Sequence, residues 1–224
     1  MNPLPQRPLP PPPPDPMADP SHGASPWNLP NALTAGRILL VPVFGVLLLS
    51  DNGTRVSWRW LALAVFVIAM LTDRIDGELA RRRNQITDLG KILDPIADKT
   101  LLGMAFIGLS VLGDVPWWIT LLVLAREIGV TGVRFVVIRH GVMPASRGGK
   151  VKTALQFVAL ALLVAPTWVL PGEALWRGTA YVVLALAVLL TVVTGIDYLF
   201  KAHKLRRTSA RALAKRAAAR EAGR

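Results

Sequence analysis

Cysteine is absent from all 224 residues, which excludes disulfides, thiolate nucleophiles and cysteine-ligated metals. Acidic residues are scarce: 14 Asp and Glu stand against 26 Lys and Arg, a formal net charge of +12. The excess is local. Residues 201–224 hold nine Lys and Arg against Glu221 alone, or +8. No nucleic-acid recognition module accompanies this basic tail, so no nucleic-acid partner is expected. After an apolar segment such a tail serves topology and lipid-surface contact, and the spacing of Arg206–Arg224 permits a basic surface helix. The basic-then-apolar layout of a signal peptide is also missing. In its place residues 1–26 are proline-rich, with an unbroken run Pro10–Pro14. That head is expected to be disordered or polyproline II.

Apolar residues are abundant. They make up 52% of the chain, and the mean hydropathy is +0.43. They come in runs long enough to cross a bilayer as helices of ~20 residues. Six such segments fall near 32–50, 58–81, 87–113, 116–139, 150–170 and 174–200. The fold class expected is therefore all-α, a polytopic membrane protein with six transmembrane helices over residues 27–200. Charge sets its orientation, because cytoplasmic connections carry the excess of Lys and Arg. The 82–91 link has Arg82, Arg83 and Lys91, and the 139–152 link has Arg139, Arg147, Lys150 and Lys152. The other turns are nearly neutral. The weakest case is 51–59, with Arg55 and Arg59 against Asp51. Both termini are placed in the cytoplasm. Trp58, Trp60, Trp117, Trp118, Trp168 and Trp176 then all fall at outer helix ends, the interfacial position aromatics prefer.

Helices 2 and 3 break the pattern. The apolar run 61–71 is followed by Asp73, Arg74, Asp76, Glu78 and Arg81; the run 100–113 is preceded by Asp94, Asp98 and Lys99. Neither run alone spans ~30 Å at ~1.5 Å per residue, so charges lie within the depth of the cytoplasmic leaflet. There they cost several kcal/mol unless paired, hydrated or metal-bound, which implies a polar cavity open to the cytoplasm. Asp73 and Asp76 are i, i+3 and share a helix face; Asp94 and Asp98 are i, i+4 and share another. A short turn makes the two helices antiparallel neighbours, so four carboxylates converge. They repel unless a cation sits among them, and hard oxygen donors favour Mg²⁺ or Mn²⁺, which recruits phosphates. Gly77 and Gly90 allow close approach of a neighbour or ligand, and Pro95 places Asp94 near a helix start or kink.

The stretch Asp73-x2-Asp76-Gly77-x2-Ala80-Arg81-x8-Gly90-x3-Asp94-x3-Asp98 matches every fixed position of the motif of CDP-alcohol phosphatidyltransferases, eight positions within 26 residues. The chain resembles that family over most of its membrane domain. The resemblance implies a six-helix membrane fold, a homodimer and a site for two metal ions. It implies that Asp73, Asp76 and Asp94 bind the ions that hold the diphosphate of a CDP-lipid. Asp98 would complete the metal site and act as general base. Gly77, Ala80, Arg81 and Gly90 would line the CMP part of the pocket.

Three further stretches look like the phosphatidylglycerophosphate synthase branch. These are Asn28-Leu-Pro-Asn31-x-Leu-Thr34-x2-Arg37, Ala125-Arg126-Glu127-Ile-x-Val-Thr131-Gly132-x-Arg134 and Gly149-Lys150-x-Lys152-Thr153-x2-Gln156. The residues themselves agree. Arg126 sits ~14 Å beyond Trp117 along a helix, and a mid-membrane Arg needs an anion or a cavity. Arg134 shares its face at i+8. Lys150 and Lys152 lie at a helix N-terminus, which favours anions. Arg126, Arg134, Lys150 and Lys152 together suit an acceptor phosphate; the plain alternative pairs Arg126 with Glu127 and leaves the lysines to topology. Asn31, Thr34 and Arg37 form a polar stripe that suits either ligand contact or capping with snorkelling. Asp197 reads as structural.

The reaction this implies joins CDP-diacylglycerol to the sn-1 hydroxyl of glycerol 3-phosphate. The products are phosphatidylglycerophosphate and CMP, made at the inner (cytoplasmic) membrane among its lipids. Inositol phosphate is the rival acceptor. Membrane prenyltransferases share aspartates and Mg²⁺ but not the Gly77, Ala80, Arg81 and Gly90 pattern. A divalent-cation transporter would need none of Arg126, Lys150 or Lys152.

Overall fold

The computed structural model describes residues 29–82, 88–137 and 147–208, with side chains described over 32–72, 96–97, 99–133, 149 and 151–203. The proline-rich head at 1–26 and residues 209–224 lie outside it. All regular structure among the described residues is helical: α1 (Leu29–Leu49), α2 (Val56–Arg82), α3 (Asp88–Val111), α4 (Trp117–Val137), α5 (Arg147–Val164) and α6 (Glu173–Thr208). Short 3₁₀ turns at Ser50–Gly53 and Thr167–Val169 join α1 to α2 and α5 to α6.

The helix ends follow from local chemistry. Gly113 closes α3 at φ +80° and Gly172 precedes α6 at φ +76°, a left-handed backbone that glycine adopts without a Cβ clash. Expected to run to 170, α5 stops at Val164, because Pro166 lacks an N–H and disfavours helix at the residue before it. α3 begins at Asp88 and takes in Pro95, so Asp94 lies within the helix rather than at its start. α6 continues past the expected 200 to Thr208, taking in Lys201, Lys204, Arg206 and Arg207.

Two stretches, Ala32–Gly53 and Glu173–His203, are long and apolar enough to cross a membrane. Shorter apolar helical stretches among the described residues are Val56–Thr72, Lys99–Val111 and Val151–Val164. The exterior is coated with large apolar side chains, among them Leu39, Val46, Leu121, Ile128, Leu175 and Phe200, while Arg37, Arg59, Lys152 and Gln156 are buried. Apolar outside and ionic inside is the arrangement that lipid, not water, selects.

α1 packs on α2 and α3, and α6 packs on α5 and α4. Phe66 of α2 joins these groups, its ring 5.4 Å from Phe44 of α1 and 5.8 Å from Phe157 of α5. Small residues permit the closest approach. A Cβ on Gly108 would lie 2.6 Å from Leu48 Cδ2, and one on Gly45 would lie 3.0 Å from Met104. These contacts set a register in which each α1 residue lies beside the α3 residue about sixty positions later.

At the tryptophan-bearing end Arg59 ties three hairpins together. Its Nε donates to Gly53 O (2.8 Å), Nη1 to Leu163 O (3.3 Å) and Nη2 to Asp114 Oδ2 (2.7 Å), with the guanidinium 5.2 Å from the Trp168 ring centre. Arg55 pairs with Asp51 at 3.6 Å. Both arginines of the 51–59 turn are thus matched by carboxylates, which explains why that turn carries so weak an orientation signal.

Candidate active site

α2 and α3 carry the aspartates. Asp73, Asp76, Gly77, Ala80 and Arg81 lie on the last three turns of α2, and Gly90, Asp94 and Asp98 on the first half of α3. The side chains at these eight positions are outside the described residues, as are those of Asn31, Arg134 and Lys150. Their placement on helices is described: both acidic stretches are helical, so the i, i+3 and i, i+4 spacings do put each pair on one face.

α1 brings Thr34 and Arg37 to this region. Both are 1% exposed and continue the buried stripe of Val41, Phe44 and Leu48. Arg37 therefore does not snorkel to water. It is a buried cation on α1, a helix that packs against α3.

α4, α5 and α6 build a second polar cluster. Arg126 donates from Nη1 to Glu127 Oε1 (3.0 Å), from Nη2 to Thr194 Oγ1 (3.0 Å) and from Nε to Thr191 O (3.2 Å). Lys152 Nζ donates to the same Glu127 Oε1. Gln156, one turn beyond Lys152, donates from Nε2 to Thr191 Oγ1 (3.2 Å). Gly195 makes room for Arg126: a Cβ there would lie 3.2 Å from both its Cγ and Nε. Two cations thus share one carboxylate oxygen between three helices.

Lys99 stitches the two regions together. It follows Asp98 on α3, and its Nζ donates to Thr131 Oγ1 of α4, which in turn donates to Glu127 O (2.7 Å). Two cationic groups, Arg126 and Lys152, meet the carboxylate of Glu127, and a third, Lys99, reaches the same residue's backbone through Thr131. In a low-dielectric interior that excess suits an incoming anion.

The sequence reading placed Arg126 and Lys152 in one site, and they do meet. It used Glu127 only as an alternative partner of Arg126, and it overlooked the α6 wall of Thr191, Thr194 and Gly195. The available signal was two hydroxyls at i, i+3 in an otherwise apolar run. Asp197, read as structural, pairs with Lys201 at 2.6 Å on the exposed side of α6.

Comparison with known proteins adds the wider context. Residues 27–193 match the family model of CDP-alcohol phosphatidyltransferase. The chain is 52% identical over 175 residues to a protein named probable phosphatidylglycerophosphate synthase from Mycobacterium tuberculosis (strain ATCC 25618 / H37Rv), covering 78% of this chain and 81% of that one. It is 37% identical over 193 residues to the CDP-diacylglycerol–glycerol-3-phosphate 3-phosphatidyltransferase of Bacillus subtilis (strain 168), covering 82% and 99%. A protein of the same name from Rickettsia felis is 40% identical over 184 residues, covering 79% and 96%.

Proposed function

Because this chain belongs to the CDP-alcohol phosphatidyltransferase family, we propose that it transfers the phosphatidyl group of CDP-diacylglycerol to the sn-1 hydroxyl of glycerol 3-phosphate, giving phosphatidylglycerophosphate and CMP. The observation that supports a phosphorylated acceptor is the pair Arg126 and Lys152 on Glu127, linked through Thr131 to Lys99 of the aspartate-bearing α3. A phosphate monoester carries close to two negative charges at neutral pH, and such a cluster answers that charge. A net-neutral, zwitterionic acceptor such as serine would bring no such net negative charge.

The family is generally dependent on a divalent metal. The residues fit one: Asp73, Asp76, Asp94 and Asp98 offer only hard carboxylate oxygens, the donor set of Mg²⁺ or Mn²⁺, and two ions suit four carboxylates. When bound, the metal supplies charge neutralisation at the diphosphate. Asp98 takes the proton of the acceptor hydroxyl as attack proceeds. The new bond joins that oxygen to the lipid-side phosphorus, and the bond to the CMP oxygen breaks. Gly77, Ala80, Arg81 and Gly90 line the CMP part of the pocket, and Asn31, Thr34 and Arg37 of α1 are candidates for ligand contact. Arg134 and Lys150 extend the acceptor site on α4 and α5. Arg126 has three of its five N–H donors occupied by protein, so it offers two to a ligand while α6 holds it still.

The chain is membrane-integral, and all six helices cross the bilayer in this reading. The tryptophan end faces outward, and both termini and the aspartates face the cytoplasm of the inner membrane. The lipid tails stay in the bilayer while the soluble acceptor enters from the water. The protein works as a homodimer.

The test is incorporation of radiolabelled acceptor by purified protein with CDP-diacylglycerol and Mg²⁺, with and without chelator. Chelator-sensitive incorporation of glycerol 3-phosphate, and not of inositol phosphate, is expected. Incorporation of inositol phosphate alone would overturn the acceptor and leave the aspartate site standing.

A further inference from the structure

α6 is longer than a membrane requires. Its 36 residues extend ~54 Å, against a hydrocarbon core of ~30 Å. With Trp176 at one interface, the core is crossed near Ile196. Lys204 and Arg207 then come ~42 and ~46 Å along the axis, at the depth of the far headgroups.

The helix period sets the face on which they lie. Val182, Leu186, Leu189, Val193, Ile196 and Phe200 are exposed at alternating steps of four and three residues, a stripe turned away from the bundle. A further step of four and one of three carry that stripe to Lys204 and Arg207. Arg206 falls elsewhere. It comes four residues after Ala202, on the buried stripe of Thr191, Gly195 and Ala202. Charge at this end of α6 is one-sided as well. Lys201 Nζ pairs with Asp197 (2.6 Å), and from there no acidic residue occurs before Glu221. A face that lies against acyl chains and ends in two cations at headgroup depth complements the phosphate of an anionic lipid.

We propose that the outward face of α6 at Lys204 and Arg207 is a binding surface for anionic phospholipid headgroups of the leaflet from which the helix emerges. The inference goes beyond the reaction and rests only on α6 crossing the bilayer. It also separates these residues from cations that serve orientation alone. Orientation needs positive charge on any face, whereas a headgroup contact needs it on the lipid-facing one.

The chain has no cysteine, so Thr208→Cys at the end of α6 takes a single fluorophore. The labelled full-length protein is placed in nanodiscs of phosphatidylcholine, with or without phosphatidylglycerol, and quenching by neutral acrylamide is measured. Phosphatidylglycerol is expected to lower the quenching constant by about half. The difference should vanish near 1 M salt, where the screening length is ~3 Å. Lys204→Gln combined with Arg207→Gln should abolish it, while Arg206→Gln keeps most of it. Equal quenching of the wild-type label in the two discs would overturn the inference and leave these charges to topology. A loss with Arg206→Gln as large as with the double variant would overturn it too, because the effect would then follow total charge and not the face. A label at Leu189→Cys, in the middle of the stripe, should be shielded in both discs. Free quenching there would refute the crossing on which the inference rests.

Discussion

Arg59 Nη2 stands 2.7 Å from Asp114 Oδ2, joining the start of α2 to the turn between α3 and α4. Arg59 is buried, and the same guanidinium holds the backbone at Gly53 and Leu163. The pair is the knot at one end of the bundle, at the opposite end of α2 and α3 from the aspartates. It fastens the connections at that end where lipid supplies little apolar driving force between helices.

Breaking one side of that pair should therefore be costly. Asp114→Asn leaves a buried guanidinium without its counter-charge and is expected to destabilise the protein by about 3 kcal/mol. Arg59→Leu combined with Asp114→Asn should lose less than the two single changes added together. Thermal unfolding of the purified variants in detergent checks this, and strictly additive losses would show that the residues do not act as a pair.

Glu127 compensates two cations at once. Glu127→Gln keeps the shape and removes the charge, so Arg126 and Lys152 repel each other when no anion is present. Melting without acceptor should fall by about 5 °C. Glycerol 3-phosphate or inorganic phosphate should restore more stability to this variant than it adds to wild type, because either supplies the missing negative charge. Equal stabilisation of both proteins would argue against an anion at this cluster.

Gly195 is small because Arg126 lies against it. Gly195→Val forces the guanidinium off Thr191 and Thr194, at about 1–3 kcal/mol of overpacking. It should raise the KM for glycerol 3-phosphate more than that for CDP-diacylglycerol. Gly178→Ala on the same helix meets nothing within 4 Å and serves as the control. Similar kinetics in the two variants would mean that Arg126 has no part in acceptor binding.

Asp98→Asn keeps an oxygen donor but removes the base. Turnover should drop at least about a hundredfold, with binding of CDP-diacylglycerol retained in the presence of Mg²⁺. Asp73→Asn or Asp76→Asn should instead raise the Mg²⁺ concentration needed for half-maximal rate. Near-normal turnover by Asp98→Asn would remove it from the base role.

The chain's order along the sequence already determined a good deal. Apolar runs of helical length, glycines and prolines between them, and charges at the end of helix 2 and the start of helix 3 are local features, legible because helix rise per residue is fixed by covalent geometry and bilayer thickness is nearly constant. The aspartate motif lies within 26 residues on adjoining helices, so it is legible from spacing alone. Tertiary structure decided what joins residues far apart. That Arg59 is a buried strut rather than a surface charge depends on Asp114, 55 residues away. That Arg126 is clamped by Thr191 and Thr194 depends on α6, and no periodicity in α4 reveals which helix packs there. Helix formation is a short-range property of the backbone, whereas the facing of one helix to another depends on which small residues let them approach, and here that is Gly45, Gly108 and Gly195.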